Sequence, residues 1–361
     1  MGTVLAYGAT EINLELGRTS ELLMLLACIA YAAAFVAYTI DLIRSSRTVN
    51  ELEASLKAQE AKELVGVGQV TRPIRGAASS DTTDRTTHRN ASVDGQLVDD
   101  DMSYDSAAPR RDSLRISIAL LILAAVVHLA AVVMRSISAG RVPWGNMYEF
   151  LTTGALVVAV VYLVSLIFKD FRFMGVFISG LVVIMMCAAT MGFPTPVQPL
   201  IPALQSPWLI IHVSIAVLAS AMFAISFALS VLQLVQTYRQ RGLAAGKPDK
   251  LPWMRMVPSA VSLENMSYRV NAIAFVMWTA TLILGAIWAE AAWGRYWGWD
   301  VKEVWTFIIW VVYAGYLHAR ATRGWTGVPS AWLSIIGFGC VVFNFTAVNI
   351  IFPGFHSYAG V

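Results

Sequence analysis

The chain has 361 residues, 57% of them hydrophobic and 14% charged, with a formal net charge of +3. A soluble domain carries about 25% charged residues, so this deficit, with a mean hydropathy of +0.62, excludes an ordinary soluble enzyme. A surplus of +3 is too small to argue for nucleic-acid binding, and in an apolar chain the placement of Lys and Arg matters more than their sum.

Taken from the N-terminus, MGTVLAYGATEINLELGRTS has neither a basic start nor a small-residue cleavage site, so the first apolar run reads as a retained anchor. Crossing a bilayer takes about 20 apolar helical residues. Run length predicts about eight spans: 22–42, 114–134, 148–168, 173–191, 208–235, 270–289, 302–320 and 332–352. The polar stretch 45–113 separates an anchor, 1–44, from the remaining membrane domain, 114–361. Its first part, TVNELEASLKAQEAKELV, can form a short helix. The rest lacks the apolar residues to build a core and reads as a largely disordered linker, with His88 solvated inside it. The chain is thus expected to be an all-α integral membrane protein.

Basic residues set its orientation. Arg44, Arg47, Arg110, Arg111, Arg115, Lys169, Arg172, Arg239, Arg241, Lys247, Lys250, Arg255, Arg320 and Arg323 fall in alternate loops. The positive-inside rule places those loops in the cytoplasm and both termini outside the plasma membrane. Arg135, Arg141 and Arg295 are the exceptions on the outer side. Cys28, Cys187 and Cys340 each lie in an apolar run and form no CxxC pair, so they read as small packing residues.

The segment between spans six and seven, WAEAAWGRYWGWDVKEVW (288–305), holds Trp288, Trp293, Trp297, Trp299 and Trp305, interleaved with Gly294 and Gly298. One or two tryptophans at a membrane interface are ordinary. Five within eighteen residues offer flat apolar faces to a planar macrocycle, and the glycines let the backbone come close. Asp300, Lys302 and Glu303 open span seven, where acids suit the first turn of a helix, while Arg295 and Lys302 are alternatively partners for propionate carboxylates. PWGNMYEF (143–150) and the proline-rich GFPTPVQPLIPALQSPW (192–208) lie at the same outer depth, either as interface anchors or as a rigid cap.

Three of the five histidines stand where a ligand is useful. His212 lies near the outer end of span five and His356 just beyond span eight, both level with the tryptophan segment. Each alone is an ordinary helix-end residue. Together with the tryptophans they make two axial ligands for a haem iron. His318 is 18 residues along span seven from Asp300, about 27 Å, too deep to share that iron and without a second histidine at its level. A histidine at that depth is a functional candidate. His128, in span two, reads as a packed or hydrogen-bonded core residue.

WGRYWGWDVKEVW resembles the signature of the haem-handling WWD superfamily. His212 before it, His318 after it and His356 in FPGFHSYA are similar to the CcsA/ResC family of system II cytochrome c biogenesis, over roughly residues 114–361. The resemblance implies a membrane subunit that works with a ResB-type partner, moves haem b outward and presents it to the CxxCH of apocytochrome c for thioether attachment. It implies His212 and His356 as outer axial ligands and His318 as an inner ligand whose counterpart comes from the partner. Trp293, Trp297, Trp299, Trp305, Asp300 and Arg295 then surround the outer haem. No residue is assigned a catalytic acid or base, and enzymatic activity is expected only of the two-protein complex. The alternative is a haem exporter or chaperone that ligates nothing.

Overall fold

The computed structural model describes residues 12–67, 112–200, 204–322, 325–352 and 354–356. The described residues are helical throughout, without strands. In chain order the helices are α1 (Leu14–Val67), α2 (Asp112–Ala139), α3 (Met147–Phe168), α4 (Gly175–Cys187, continued by a wider π turn to Gly192), α5 (Pro207–Ala244), α6 (Ala260–Trp293), α7 (Val301–Ala321), α8 (Val328–Phe345) and the short α9 (Ala347–Ile351). Seven stretches are long and apolar enough to cross a membrane. The remaining candidate, α7, has 21 residues, about 31 Å. It is less apolar because it carries Trp, Tyr, His318 and Arg320. The expected eight segments are all present as helices, and the chain is a multi-pass membrane protein.

Two expectations about boundaries change. The 45–113 segment opens as helix, because α1 runs unbroken to Val67. Its remainder, with His88, lies outside the described residues. The tryptophan segment is also mostly helical: α6 extends to Trp293 and α7 starts at Val301, leaving a loop of 294–300. Gly294 at φ 71° ends α6, the left-handed cap that glycine adopts without a Cβ penalty.

The helices form two packed groups. Met24, Ala27, Tyr31, Ala34 and Tyr38 of α1 share a core with α2, α3 and α4, so the N-terminal anchor is built into the bundle. His128 is fully buried there, its Nδ1 3.4 Å from the Tyr31 hydroxyl, as expected of a core histidine. The second group joins α5, α6, α7 and α8 around Phe223, Trp278, Ile309, Tyr313 and Tyr316. Small residues let helix backbones approach closely in lipid, and polar side chains bond across them. Ser226 and Ser230 of α5 reach Ser267 of α6 at 2.8 and 2.9 Å, and Asn271 of α6 donates to Ser334 of α8 at 3.0 Å. At the far end from the tryptophan loop, Glu264 pairs with Arg320 at 2.9 Å and accepts the Gly327 N–H at 2.9 Å. This ties the α7–α8 connection to α6.

The first turn of α3, the residues before it and those after α4 close the end that carries the tryptophan loop. Glu149 is fully buried and bonds Arg135 Nε at 3.0 Å, an Arg141 guanidinium nitrogen at 2.7 Å and the Gly145 N–H at 2.8 Å. The two arginines also donate to the carbonyls of Thr195 and Gln198. The proline-rich segment is thereby fastened over the helix ends. This accounts for two of the three misplaced arginines: they lie in the interior, bound to a carboxylate.

Candidate functional site

The ends of α5, α6, α7 and α8 nearest the tryptophan loop border a hollow that is partly open to solvent. His212, Trp288, Trp293, Trp297, Lys302, Glu303, Asn344 and His356 are among its lining residues. A second hollow adjoins it on the side of Trp144 and Phe150. His212, Trp288, Lys302, Phe345 and His356 border both. The two histidines, 144 positions apart in sequence, thus face one shared space.

Each imidazole is held the same way. His212 Nδ1 lies 3.0 Å from the Thr281 carbonyl oxygen of α6. His356 Nδ1 lies 2.8 Å from Asp300 Oδ2. A carbonyl and a carboxylate accept only, so Nδ1 carries the proton in both rings. A neutral ring then keeps the Nε2 lone pair for a metal, and the hydrogen bond behind it fixes the orientation. Trp288 flanks His212 with ring centres 5.6 Å apart, and Trp293 meets His356 edge-on at 4.9 Å. Gly285 makes room for the His212 ring: a Cβ there would stand 2.8 Å from Cε1.

Asp300 joins the loop to both sides. It caps α7 by accepting the Lys302 N–H, in a reciprocal capping arrangement with Glu303. Glu303 Oε2 accepts the N–H groups of Gly298 at 2.8 Å and Asp300 at 3.1 Å. The hydrogen bond from His356 holds the Asp300 carboxyl below the usual carboxylate range, with the Lys302 and Phe355 backbone N–H groups adding to it and partial burial opposing it. Trp299, between these bonded residues, is held at φ 60°. That is an uncommon conformation for a bulky residue, and its side chain is 77% exposed.

Of the nine residues expected at the site, His212, His356, Trp293 and Trp297 line the hollow together. Asp300 acts one step behind, through His356. Trp299 is displayed outward against the edge of Trp297. Trp305 packs on Phe343 of α8, ring centres 4.3 Å apart. Arg295 lies over the Phe355 ring at 4.7 Å. None of these three borders the hollow. His318 is exposed on α7, near its opposite end.

The sequence reading missed Gly285, Thr281, Asn344 and Asn349, and left Lys302 undecided. Polar residues in the apolar runs of α6 and α8 were the available signal. In the lining, Trp288 Nε1, Glu303 Oε1 and Asn344 Oδ1 are buried with no hydrogen-bond partner in the protein. Buried polar atoms are normally satisfied, so unsatisfied donors and acceptors around a hollow walled by indoles suit an apolar ring system with polar edges. Among the described residues no three His, Cys, Asp or Glu side chains converge on one point, and two imidazoles alone leave a bare ion under-coordinated. The donor set fits an iron whose equatorial ligands come with it, as in a porphyrin.

A hollow walled by indoles, with two oriented imidazoles, thus stands at one end of the helix bundle. Residues 144–356 match the cytochrome C assembly protein family, and the chain belongs to it. Among curated relatives, the cytochrome c biogenesis protein CcsA of Synechococcus elongatus is 35% identical over 263 residues, covering 62% of this chain and 81% of that protein. CcsA of Guillardia theta is 35% identical over 254 residues, covering 66% and 83%. CcsA of Chlamydomonas reinhardtii is 34% identical over 225 residues, covering 61% of each. The family match and these relatives bear out the resemblance to the CcsA/ResC family.

Proposed function

We propose that this chain is the membrane subunit of a system II cytochrome c synthase: it passes haem b outward and presents it for covalent attachment to apocytochrome c. Family membership supports a role in cytochrome c maturation. The observation that carries the finer reading is the matched pair of imidazoles, His212 and His356, each with Nδ1 committed to an oxygen acceptor and both bordering one indole-lined hollow.

Haem is the substrate, and iron–imidazole bonding together with vinyl groups supplies the chemistry. His212, on α5, and His356, in the segment beyond α9, hold the iron. Trp288, Trp293 and Trp297 exclude water and fix the ring plane. The chain contributes mainly positioning, which for well-oriented groups is worth about 7–11 kcal/mol. The histidine of the incoming CxxCH displaces one axial imidazole, and each cysteine S–H adds across a vinyl C=C: sulfur bonds to one carbon and the proton ends on the other. Trp299, exposed and held in a strained turn at the rim, is the contact surface for the arriving polypeptide. His318, exposed on α7, meets an imidazole of a ResB-type partner to form an inner site. The working face is extracytoplasmic, in the plasma membrane, with both termini on that side and segment 45–113 on the other.

The test is spectroscopic. His212→Gly and His356→Gly each lose bound haem or shift its absorbance after haem-replete expression, and added imidazole restores the band. Unchanged spectra in both variants defeat the ligand assignment. Co-expression with a ResB-type partner and an apocytochrome, scored by covalent haem, separates a synthase from an exporter that binds without ligating.

A further inference from the structure

Lys302 is the basic residue of the lining, and no carboxylate bonds its ammonium directly. It stands in the first turn of α7, and its side chain borders both hollows together with the two histidines. Its ammonium donates to the Asn344 carbonyl at 2.8 Å and to Asn349 Oδ1 at 2.8 Å, and lies 4.8 Å from the centre of the Phe345 ring. All three partners are neutral. An ammonium has three N–H groups, and two are spent here. Of the adjacent carboxylates, Asp300 bonds His356, and Glu303 accepts the N–H groups of Gly298 and Asp300 through Oε2 while its Oε1 makes no hydrogen bond. Among the described residues Lys302 makes no ion pair. Arg295, the other basic residue of the segment, rests on Phe355 away from the hollow.

A charge held in an apolar enclosure without a counter-ion is costly, and the balance is restored when the ligand brings the anion. A neutral or purely apolar ligand would leave the ammonium desolvated and unmatched. Sites built around a charged or hydrogen-bonding group reject analogues that lack its partner far more strongly than apolar pockets reject a change of size. We propose that Lys302 is the counter-ion for a ligand carboxylate, so that the outer site takes the porphyrin as a free acid and rejects its esters. This rests on the haem reading and adds to it the chemical form of the substrate and the residue that selects it.

Two porphyrins test it: iron protoporphyrin IX and its dimethyl ester, titrated into the purified full-length chain and followed by absorbance. The wild type binds the free acid at least roughly tenfold more tightly, the size of effect expected when one charged partner is lost. Lys302→Met binds the two about equally, with the ester affinity unchanged. Lys302→Gln, whose amide keeps a bond to the asparagines, behaves the same way, and Lys302→Arg retains the preference. An unchanged ester spectrum in each variant shows that the fold and the iron ligands are intact. Full discrimination in both Lys302→Met and Lys302→Gln overturns the proposal, as does a wild type that binds acid and ester alike. A wild type that binds neither porphyrin overturns the haem reading itself, so the two failures are distinct.

Discussion

At the scale of single residues, the site depends on atoms that are missing as much as on those present. Gly285 has no side chain where a Cβ would press on His212 at 2.8 Å. Such a contact forces something to shift, and the freest element is the imidazole. Gly285→Ala is therefore expected to move the ring off the Thr281 carbonyl and weaken haem binding roughly tenfold, about the value of one well-made hydrogen bond. Absorbance titration beside Ala286→Gly, which also alters the lining but not the His212 contact, measures this. An unchanged affinity and spectrum in Gly285→Ala would show that the close approach has no role. What the sequence made legible at this scale was residue type. Tryptophans and histidines announce themselves by scarcity and clustering. The direction of Lys302 did not, because only the packing of α7 against α8 and α9 brings its ammonium to Asn344 and Asn349.

At the scale of elements, run length located every helix from α2 to α8, since about 20 apolar residues is a constraint the bilayer imposes. Helix ends were less legible. The α6–α7 loop came out at 294–300, because indoles extend a helix as readily as they fill a loop and only Gly294 marks the stop. Arg135 and Arg141 broke the positive-inside pattern for a reason invisible in sequence: their shared acceptor, Glu149, is supplied by the next helix. Removing one member of a buried charge group costs about 3–5 kcal/mol. Glu149→Gln should therefore release the proline-rich segment from α2 and α3 and lower the thermal stability of the purified protein by about that much, well beyond the effect of an exposed change such as Glu290→Gln. Equal melting temperatures for the two variants would mean that the arginines are satisfied by Thr195 and Gln198 alone.

At the scale of the whole molecule, the His212–His356 pair and His318 lie at opposite ends of a bundle whose middle is filled. Phe223, Trp278, Tyr313 and Tyr316 are buried together there, with Phe223 stacked on Tyr313 at 3.8 Å. If haem reaches the outer site only by way of His318, His318→Ala isolated from membranes is expected to carry less outer haem, and direct addition of haem to the detergent-solubilised variant should restore the His212–His356 spectrum to the wild-type level. Full occupancy straight from the membrane would show that supply bypasses α7. The sequence placed His318 at the correct end by arithmetic on helical rise. It was silent on the exposure of His318, which depends on which face of α7 packs against its neighbours.

The unbroken course of α1 sets one more condition on how this machine is handled from outside. Its membrane-length portion ends at Arg47, yet the helix continues to Val67. Those twenty further residues make a rigid spur of about 30 Å. Because Tyr31 and Tyr38 on the same rod are wedged among α2, α3 and α4, a tilt or twist applied to the spur is delivered to the body of the bundle without a hinge to absorb it. Anything that grips that protruding stem holds a handle on the frame that supports the hollow.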